Sequence, residues 1–250
     1  VMRTIVVASG KGGVGKTTIV ANLGIALSEF GFKTVVIDAD IIMANLEIIL
    51  GIKNPPTTIM DVLKDKVPIE KAIYDAFGTK VIPAGITLDG FNEGNLDILK
   101  AKLSDLFGFD FVIIDAPAGR DAALVMSAGE ETLIVTTPEV ISISDALKMK
   151  ILSEKLGAKS IGVVINKRGK KRFEIKNKDI ENTLELPVLG SIPRSEIVER
   201  SLIEEVPFIV SEPNSKPSIE IKKIASNIAN IPYKPPRGLF LSKFGALFGR

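Results

Sequence analysis

The 250-residue sequence contains no cysteine, no histidine, no tryptophan and no glutamine. The absence of cysteine excludes disulfides, iron–sulfur clusters and thiolate zinc sites. The absence of histidine removes the side chain most used for proton transfer near neutral pH. Chemistry must therefore rest on Lys, Asp, Glu, Ser, Thr and a bound ion such as Mg²⁺. The lack of cysteine and glutamine is compatible with a thermophilic source. A formal net charge of only +2 gives no global field for nucleic acid, so contact with DNA or a membrane requires a local patch. The start lacks a basic segment followed by a long apolar stretch, and no uninterrupted apolar run has the length of a membrane span. The expectation is a cytoplasmic protein.

What is present is ample apolar material, 46% of residues with a mean hydropathy of +0.28, enough for a substantial core. The chain is organised around Gly10-Lys11-Gly12-Gly13-Val14-Gly15-Lys16-Thr17-Thr18. An apolar run, Thr4 to Ala8, precedes it and reads as a buried strand. Ile19, Leu23, Ala26, Leu27 and Phe30 follow on one helical face. Strand, glycine loop and helix in that order match the P-loop template G-x-x-x-x-G-K-[ST] at Gly10, Gly15, Lys16 and Thr17. A polyphosphate needs several backbone N–H groups pointing inward, which side chains would obstruct. The helix start adds its dipole and free donors. Gly12, Gly13, Val14, Gly15, Lys16, Thr17 and Thr18 are the candidate phosphate contacts. Lys16 would neutralise the β and γ oxygens, and the Thr17 hydroxyl would ligate Mg²⁺.

Further apolar runs recur between helical patterns: residues 34–37, 80–83, 111–114, 132–136, 160–165 and 188–192. Helices are expected over 46–50, 58–64, 95–107, 122–128, 144–156, 178–186, 195–203 and 217–228. Continuous apolar strands alternating with helices predict an α/β fold, a mostly parallel twisted sheet covered by helices on both faces. The expected division is a nucleotide-binding body over 1–230, a proline-bearing linker over 231–238 and a short terminal helix over 239–250.

Polar residues stand where apolar strands run out: Asp38 with Asp40, Asp115 and Asn166. In an open α/β sheet, ligands bind beyond the carboxyl ends of the strands. A buried carboxylate needs a partner for its charge. Mg²⁺ is one, with Thr17, Asp38 and Asp115 as candidate ligands and Asp115 in the Walker B position. Helix capping or a salt bridge is the alternative for each aspartate. Asp40 is placed to orient an attacking water, and no acceptor-substrate motif is evident, which favours hydrolysis over transfer to a second substrate. Guanine readers carry Asn-Lys-x-Asp, but here the segment is Asn166-Lys167-Arg168-Gly169. The discriminating carboxylate is missing, whereas an Asn can pair with adenine N6 and N7. ATP is the expected nucleotide.

The glycine loop with its additional early lysine, Lys11, resembles the deviant Walker A motif. With Val35-Val36-Ile37-Asp38-Ala39-Asp40, Asn45-Leu46 and Asp115-Ala116-Pro117-Ala118-Gly119, nearly the whole chain resembles the MinD/ParA group of ATPases, and within it the MinD family of septum-site determination. The resemblance implies a Mg²⁺-dependent ATPase, slow unless activated, that forms an ATP-sandwiched homodimer, with an unidentified regulatory protein as a further partner. It implies that Lys11 reaches the partner's phosphates, that Asp38 and Asp40 belong to one switch and Asp115 to Gly119 to the other, and that adenine is contacted by Asn166 and by backbone near Pro193.

Three of the twelve phenylalanines fall in the last eleven residues. On a helix, Phe240, Leu241, Phe244, Leu247 and Phe248 occupy an arc of roughly 120°, with Lys243 and Arg250 outside it. This is the pattern of an interfacial anchor for an anionic membrane surface, and the family resemblance agrees. The protein is expected to be peripheral on the inner face of the membrane when ATP-bound. The terminal helix is expected to fold on lipid or against the body, since so short a segment is marginal alone in water. The run Lys167, Arg168, Lys170, Lys171, Arg172 is the competing signal for DNA, as in ParA-type segregation ATPases. Without interleaved aromatics it reads more simply as a solvated loop, and nucleic acid is not expected as a partner. A flagellar-number regulator of the same group is a further alternative.

Overall fold

The structure, a computed structural model, describes residues 1–85, 93–169 and 172–236. The anchor segment 239–250, with Phe240, Leu241, Phe244, Leu247 and Phe248, lies outside the described residues, as do Lys170 and Lys171.

The described chain runs β1 (Arg3–Ser9), α1 (Lys16–Glu29), β2 (Thr34–Asp38), α2 (Leu46–Ile49), α3 (Ile59–Leu63), β3 (Tyr74–Ala76), β4 (Thr79–Ile82), α4 (Glu93–Leu103), β5 (Phe111–Ala118) and α5 (Ala122–Met126). It continues with β6 (Glu131–Thr136), α6 (Val140–Lys155), β7 (Lys159–Arg168), α7 (Asn177–Leu184), β8 (Val188–Pro193), α8 (Glu196–Ile203), α9 (Phe208–Ser211) and α10 (Lys216–Ala229). The strands form one eight-stranded sheet in the order β3-β4-β2-β5-β1-β6-β7-β8. Every neighbouring pair is parallel except β3 with β4. The glycine loop leaves β1, which is hydrogen-bonded on both sides, so it rises from the middle of the sheet.

Side chains alternate along each strand and feed two cores. On one face Val6, Ala8, Ile37, Ile114 and Ile134 pack with residues of α3 to α7, among them Leu63, Leu99, Met126, Met149 and Leu184. On the other, Ile5, Val7, Val36, Ile113 and Leu133 pack with α1, α2, α9 and α10. Helix α1 departs from the one-faced pattern read from the sequence: Lys16 and every residue from Thr18 to Leu27 are buried. The sheet covers one side of α1, and α2, α9 and α10 cover others. A helix apolar around much of its circumference is expected in that position.

Several boundaries differ from the sequence reading. Strand β5 continues through Asp115 to Ala118, and β7 continues through Asn166 to Arg168. The ladders to β1 and β8 extend past the apolar runs through register shifts. Helix α6 starts at Val140, ahead of the expected Ser144, with Val140 and Ile141 exposed. Strand β3, a 3₁₀ turn over Ile69–Ala72 and helix α9 are short elements that the apolar pattern did not announce. After α10 the chain has no regular structure through residue 236, and the Tyr233 ring lies 5.7 Å from that of Phe30.

Candidate nucleotide site

The loop between β1 and α1 is shaped by backbone that only glycine tolerates easily. Gly13 and Gly15 have φ of 77° and 90°. Gly10 and Gly15 are also needed for space. A Cβ on Gly10 would stand 2.5 Å from Asp145 Cβ on α6, and one on Gly15 only 2.3 Å from Asn166 Nδ2 on β7. A Cβ on Gly12 or Gly13 would meet nothing within 4 Å.

Three donors hold the loop from outside. Ser9 Oγ donates to the Lys11 carbonyl at 3.1 Å, Lys167 Nζ to the Gly13 carbonyl at 2.6 Å and Asn166 Nδ2 to the Val14 carbonyl at 2.7 Å. In a trans peptide the C=O and the following N–H point in opposite directions. Fixing the Gly13 and Val14 carbonyls toward β7 therefore turns the Val14 and Gly15 N–H groups the other way. Residues 12–18 line an open cleft of about 850 Å³. The result is a nest of inward donors at the start of a helix, suited to an anion.

Beneath the loop lie the buried charges. Lys16 Nζ is 2.5 Å from Asp115 Oδ1, and the second oxygen, Asp115 Oδ2, is buried with no hydrogen-bond partner among the described residues. Asp38 stands opposite Asp115 in the β2–β5 register. Its Oδ1 accepts from the Asp40 N–H at 3.0 Å, and its Oδ2 from Asn45 and Leu46 N–H at 3.3 and 3.1 Å. Asp38 thus organises the loop that starts α2. Burial, then the neighbouring Asp115 charge, pushes its carboxyl well above the usual range. Asp40 is half-buried at the cleft wall, accepts from the Met43 N–H at 3.3 Å and is raised mainly by burial.

The predicted residues separate into three groups. Gly12, Gly13, Val14, Gly15, Lys16, Thr17, Thr18 and Asp40 line the cleft. Asp38 and Asp115 lie fully buried below it. Asn166 and Pro193 sit at the ends of adjacent strands β7 and β8, beside the loop and outside the cleft lining. Lys11 is exposed, with no side-chain partner among the described residues. Asn166 donates one amide hydrogen to the Val14 carbonyl, which leaves its second N–H and Oδ1 for a ligand.

Among the described residues no three carboxylates converge to hold a metal. The donor set suits Mg²⁺, which keeps several waters and takes few protein ligands beside phosphate. The partnerless Asp115 oxygen and the Thr17 hydroxyl fit that role. Sequence reasoning missed Lys167 and Ser9 as holders of the loop, and Asp121 and Leu202 in the cleft wall. In the sequence Lys167 is one cation of a basic run, and its left-handed backbone, φ 56°, has no signature in residue type. Arg168 of the same run is engaged too, with the Ile175 carbonyl, Asn177 and Glu174.

A glycine loop from the central strand, a lysine in the first helical turn and an aspartate on the adjacent parallel strand define a P-loop nucleotide-binding protein. Residues 5–208 match the family model for the CobQ/CobB/MinD/ParA nucleotide binding domain, and the chain belongs to that family. It is 40% identical to an uncharacterized ATP-binding protein of Methanocaldococcus jannaschii, over 98% of this chain and 97% of the relative. Among solved structures, the cell division ATPase MinD of Pyrococcus furiosus superposes with a TM-score of 0.85 at 35% identity, covering 92% of this chain and 99% of that one. The septum site-determining protein MinD of Pyrococcus horikoshii, complexed with Mg-ADP, gives 0.83 at 32% identity, covering 91% and 96%.

Proposed function

We propose that this chain is a Mg²⁺-dependent ATPase of the MinD type, hydrolysing ATP to ADP and phosphate and switching between a free and a membrane-bound state. The observation that carries the reading is the Lys16–Asp115 pair with its partnerless Asp115 oxygen, set directly below a nest of loop N–H groups. The Mg-ADP complex of a relative with the same fold supports the choice of nucleotide and metal.

In this reading the loop amides and Lys16 bind the β and γ phosphates. Mg²⁺ would neutralise phosphate charge, held by Thr17 and Asp115. Asp38 keeps the Asp40 loop in place through its three backbone contacts, and Asp40 accepts a hydrogen bond from the attacking water and orients it. Such a site works by positioning and charge, which suits a chain without histidine. Asn166 Oδ1 and backbone at Pro193 face the base. Exposed Lys11 serves a second subunit in an ATP-sandwiched dimer. Residues 239–250 are the lipid anchor, joined to the body by 231–238. One short anchor binds lipid marginally, and two on one dimer gain by avidity. A regulatory protein that accelerates hydrolysis completes the cycle, in division-site placement or a related positioning task.

The test is co-sedimentation of the full chain with anionic vesicles, with ATP and with ADP, alongside phosphate release. The expected result is ATP-dependent pelleting that a chain ending at Pro236 loses. Equal pelleting by the shortened chain, or none with ATP, overturns the membrane reading. DNA retention lost on neutralising Lys170 and Lys171 would favour a ParA-type segregation ATPase instead.

A further inference from the structure

The end of the sheet opposite the cleft carries an unusual set of aromatic side chains. Phe107, just before β5, is 84% exposed, and Phe77, at the β3–β4 turn, is 41% exposed. Both precede strands that run parallel to β1, so both stand at the starts of strands, away from the glycine loop. Phe30 and Phe32 lie at the same end, where the last turn of α1 leads into β2, and Phe32 packs edge-on against Phe111 at 5.2 Å.

Phe77 occupies a position that chemistry disfavours. It and Gly78 are the two central residues of the hairpin turn between Ala76 and Thr79, with φ of 49° and 83°. Both central residues at positive φ is the type I′ pattern, whose first place ordinarily goes to Asn, Asp or Gly. A bulky aromatic there is strained. A residue that breaks a local rule, exposed, at a turn tip, points to a contact outside the turn.

The chain leaves the body at this same end. Helix α10 finishes beside β1, with Arg3 donating to the Ile228 carbonyl, and Tyr233 then lies against Phe30. Residue 236 is the last described, and twelve residues of amphipathic pattern follow from 239. As a helix they would extend about 18 Å. Strands β4 and β5 are separated by β2 alone, about 10 Å. The segment is thus long enough to lie across the sheet end.

We propose that, without lipid, residues 239–250 dock in cis on this aromatic end, with Phe77 and Phe107 covering the apolar arc of Phe240, Phe244 and Leu247. The inference rests on the reading of that segment as a lipid anchor. Docking gives the arc a dry partner in water and places it in competition with the membrane. Direct lipid contact by Phe77 and Phe107 is disfavoured in the sandwich dimer. Subunits meeting cleft to cleft turn these ends away from each other, so both ends cannot lie on one bilayer, whereas two tethered helices can.

The chain has no tryptophan, so Phe244→Trp provides a single emission signal. In the lipid-free full-length protein, the expected emission is blue-shifted and weakly quenched by acrylamide. Adding Phe77→Glu and Phe107→Glu together should shift it to the value of a free peptide of residues 239–250 carrying the same tryptophan. The same pair should tighten binding to anionic vesicles about fivefold. Circular dichroism checks that the double variant remains folded. Emission already at the peptide value in the lipid-free chain, or unmoved by the two glutamates, overturns the docking. Weaker vesicle binding by the double variant also overturns it, making these residues lipid contacts. Emission that is buried, released by the glutamates and indifferent to vesicles keeps the docking and removes the anchor reading.

Discussion

Lys16 and Asp115 form a closed ion pair under the glycine loop, Nζ to Oδ1 2.5 Å, with the lysine side chain 6% exposed and the aspartate fully buried. Ninety-nine residues separate them in sequence, and β1 and β5 bring them together as adjacent parallel strands. Each charge is what makes the burial of the other tolerable. The pair therefore belongs to the stability of the nucleotide-free protein as well as to the site.

Lys16→Ala follows directly. It removes the partner of a fully buried carboxylate whose other oxygen already has none. The expected cost is about 3 kcal/mol, the scale found when one member of a buried pair is deleted. Urea unfolding without nucleotide should show a lower midpoint, and a fluorescent ATP analogue should no longer bind. Asp115→Asn should cost less stability, because it leaves a neutral amide beside the lysine, yet abolish hydrolysis. An unchanged midpoint for Lys16→Ala would show that the pair contributes nothing to folding.

Asp40 sits at the cleft wall with one bond to the Met43 N–H. Its backbone is also held by Asp38, so the loop keeps its main support without the Asp40 carboxylate. Asp40→Ala should leave ATP affinity within about twofold and slow phosphate release by about 100-fold or more, the range for loss of a group that handles the water. Binding and turnover measured on the same preparation separate the two effects. Normal turnover would remove Asp40 from the mechanism.

Lys11 is the exposed cation of the loop, its carbonyl fixed by Ser9 Oγ. Lys11→Ala should spare ATP binding by the monomer and abolish ATP-dependent dimerisation. Sedimentation velocity with ATP against ADP reads this directly. Dimers that persist in the variant would leave the lysine without a role across the interface.

The strand, loop and first helix were legible because their signals are local: an apolar run, glycine spacing and a lysine in register. The support of that loop was not. Asn166 and Lys167 meet Val14 and Gly13 across 152 and 154 residues, and nothing in a basic run separates a structural lysine from a solvated one. Aspartates at strand ends were visible, but whether Asp38 caps, pairs or ligates depends on which N–H groups surround it. It proved to be held by three of them. The first turn of α6 was hidden because Val140 and Ile141 are apolar yet exposed, so they do not fall on the buried face by which a helix is recognised in a sequence. Strand β3 spans three residues, too few for an alternation to register.

The contact between Gly15 and Asn166 allows space and backbone conformation to be tested separately. Gly15→Ala brings a Cβ to 2.3 Å from Asn166 Nδ2, at a φ of 90° that L residues rarely adopt. Both faults should act, and nucleotide binding should be lost. Asn166→Ala alone removes the bond to the Val14 carbonyl, worth about 1 kcal/mol, and should weaken ATP binding by about fivefold. In the double variant Gly15→Ala with Asn166→Ala the clash is gone and the backbone fault stays. If the loop needs glycine for its φ, the double variant should bind no better than Gly15→Ala. If close approach of β7 is the only reason for glycine, the second substitution should restore affinity to that of Asn166→Ala. Titration of the three variants with one fluorescent ATP analogue decides. The first outcome is expected, because the left-handed φ of Gly15 is needed to lead the loop into α1 whatever side chain stands on β7.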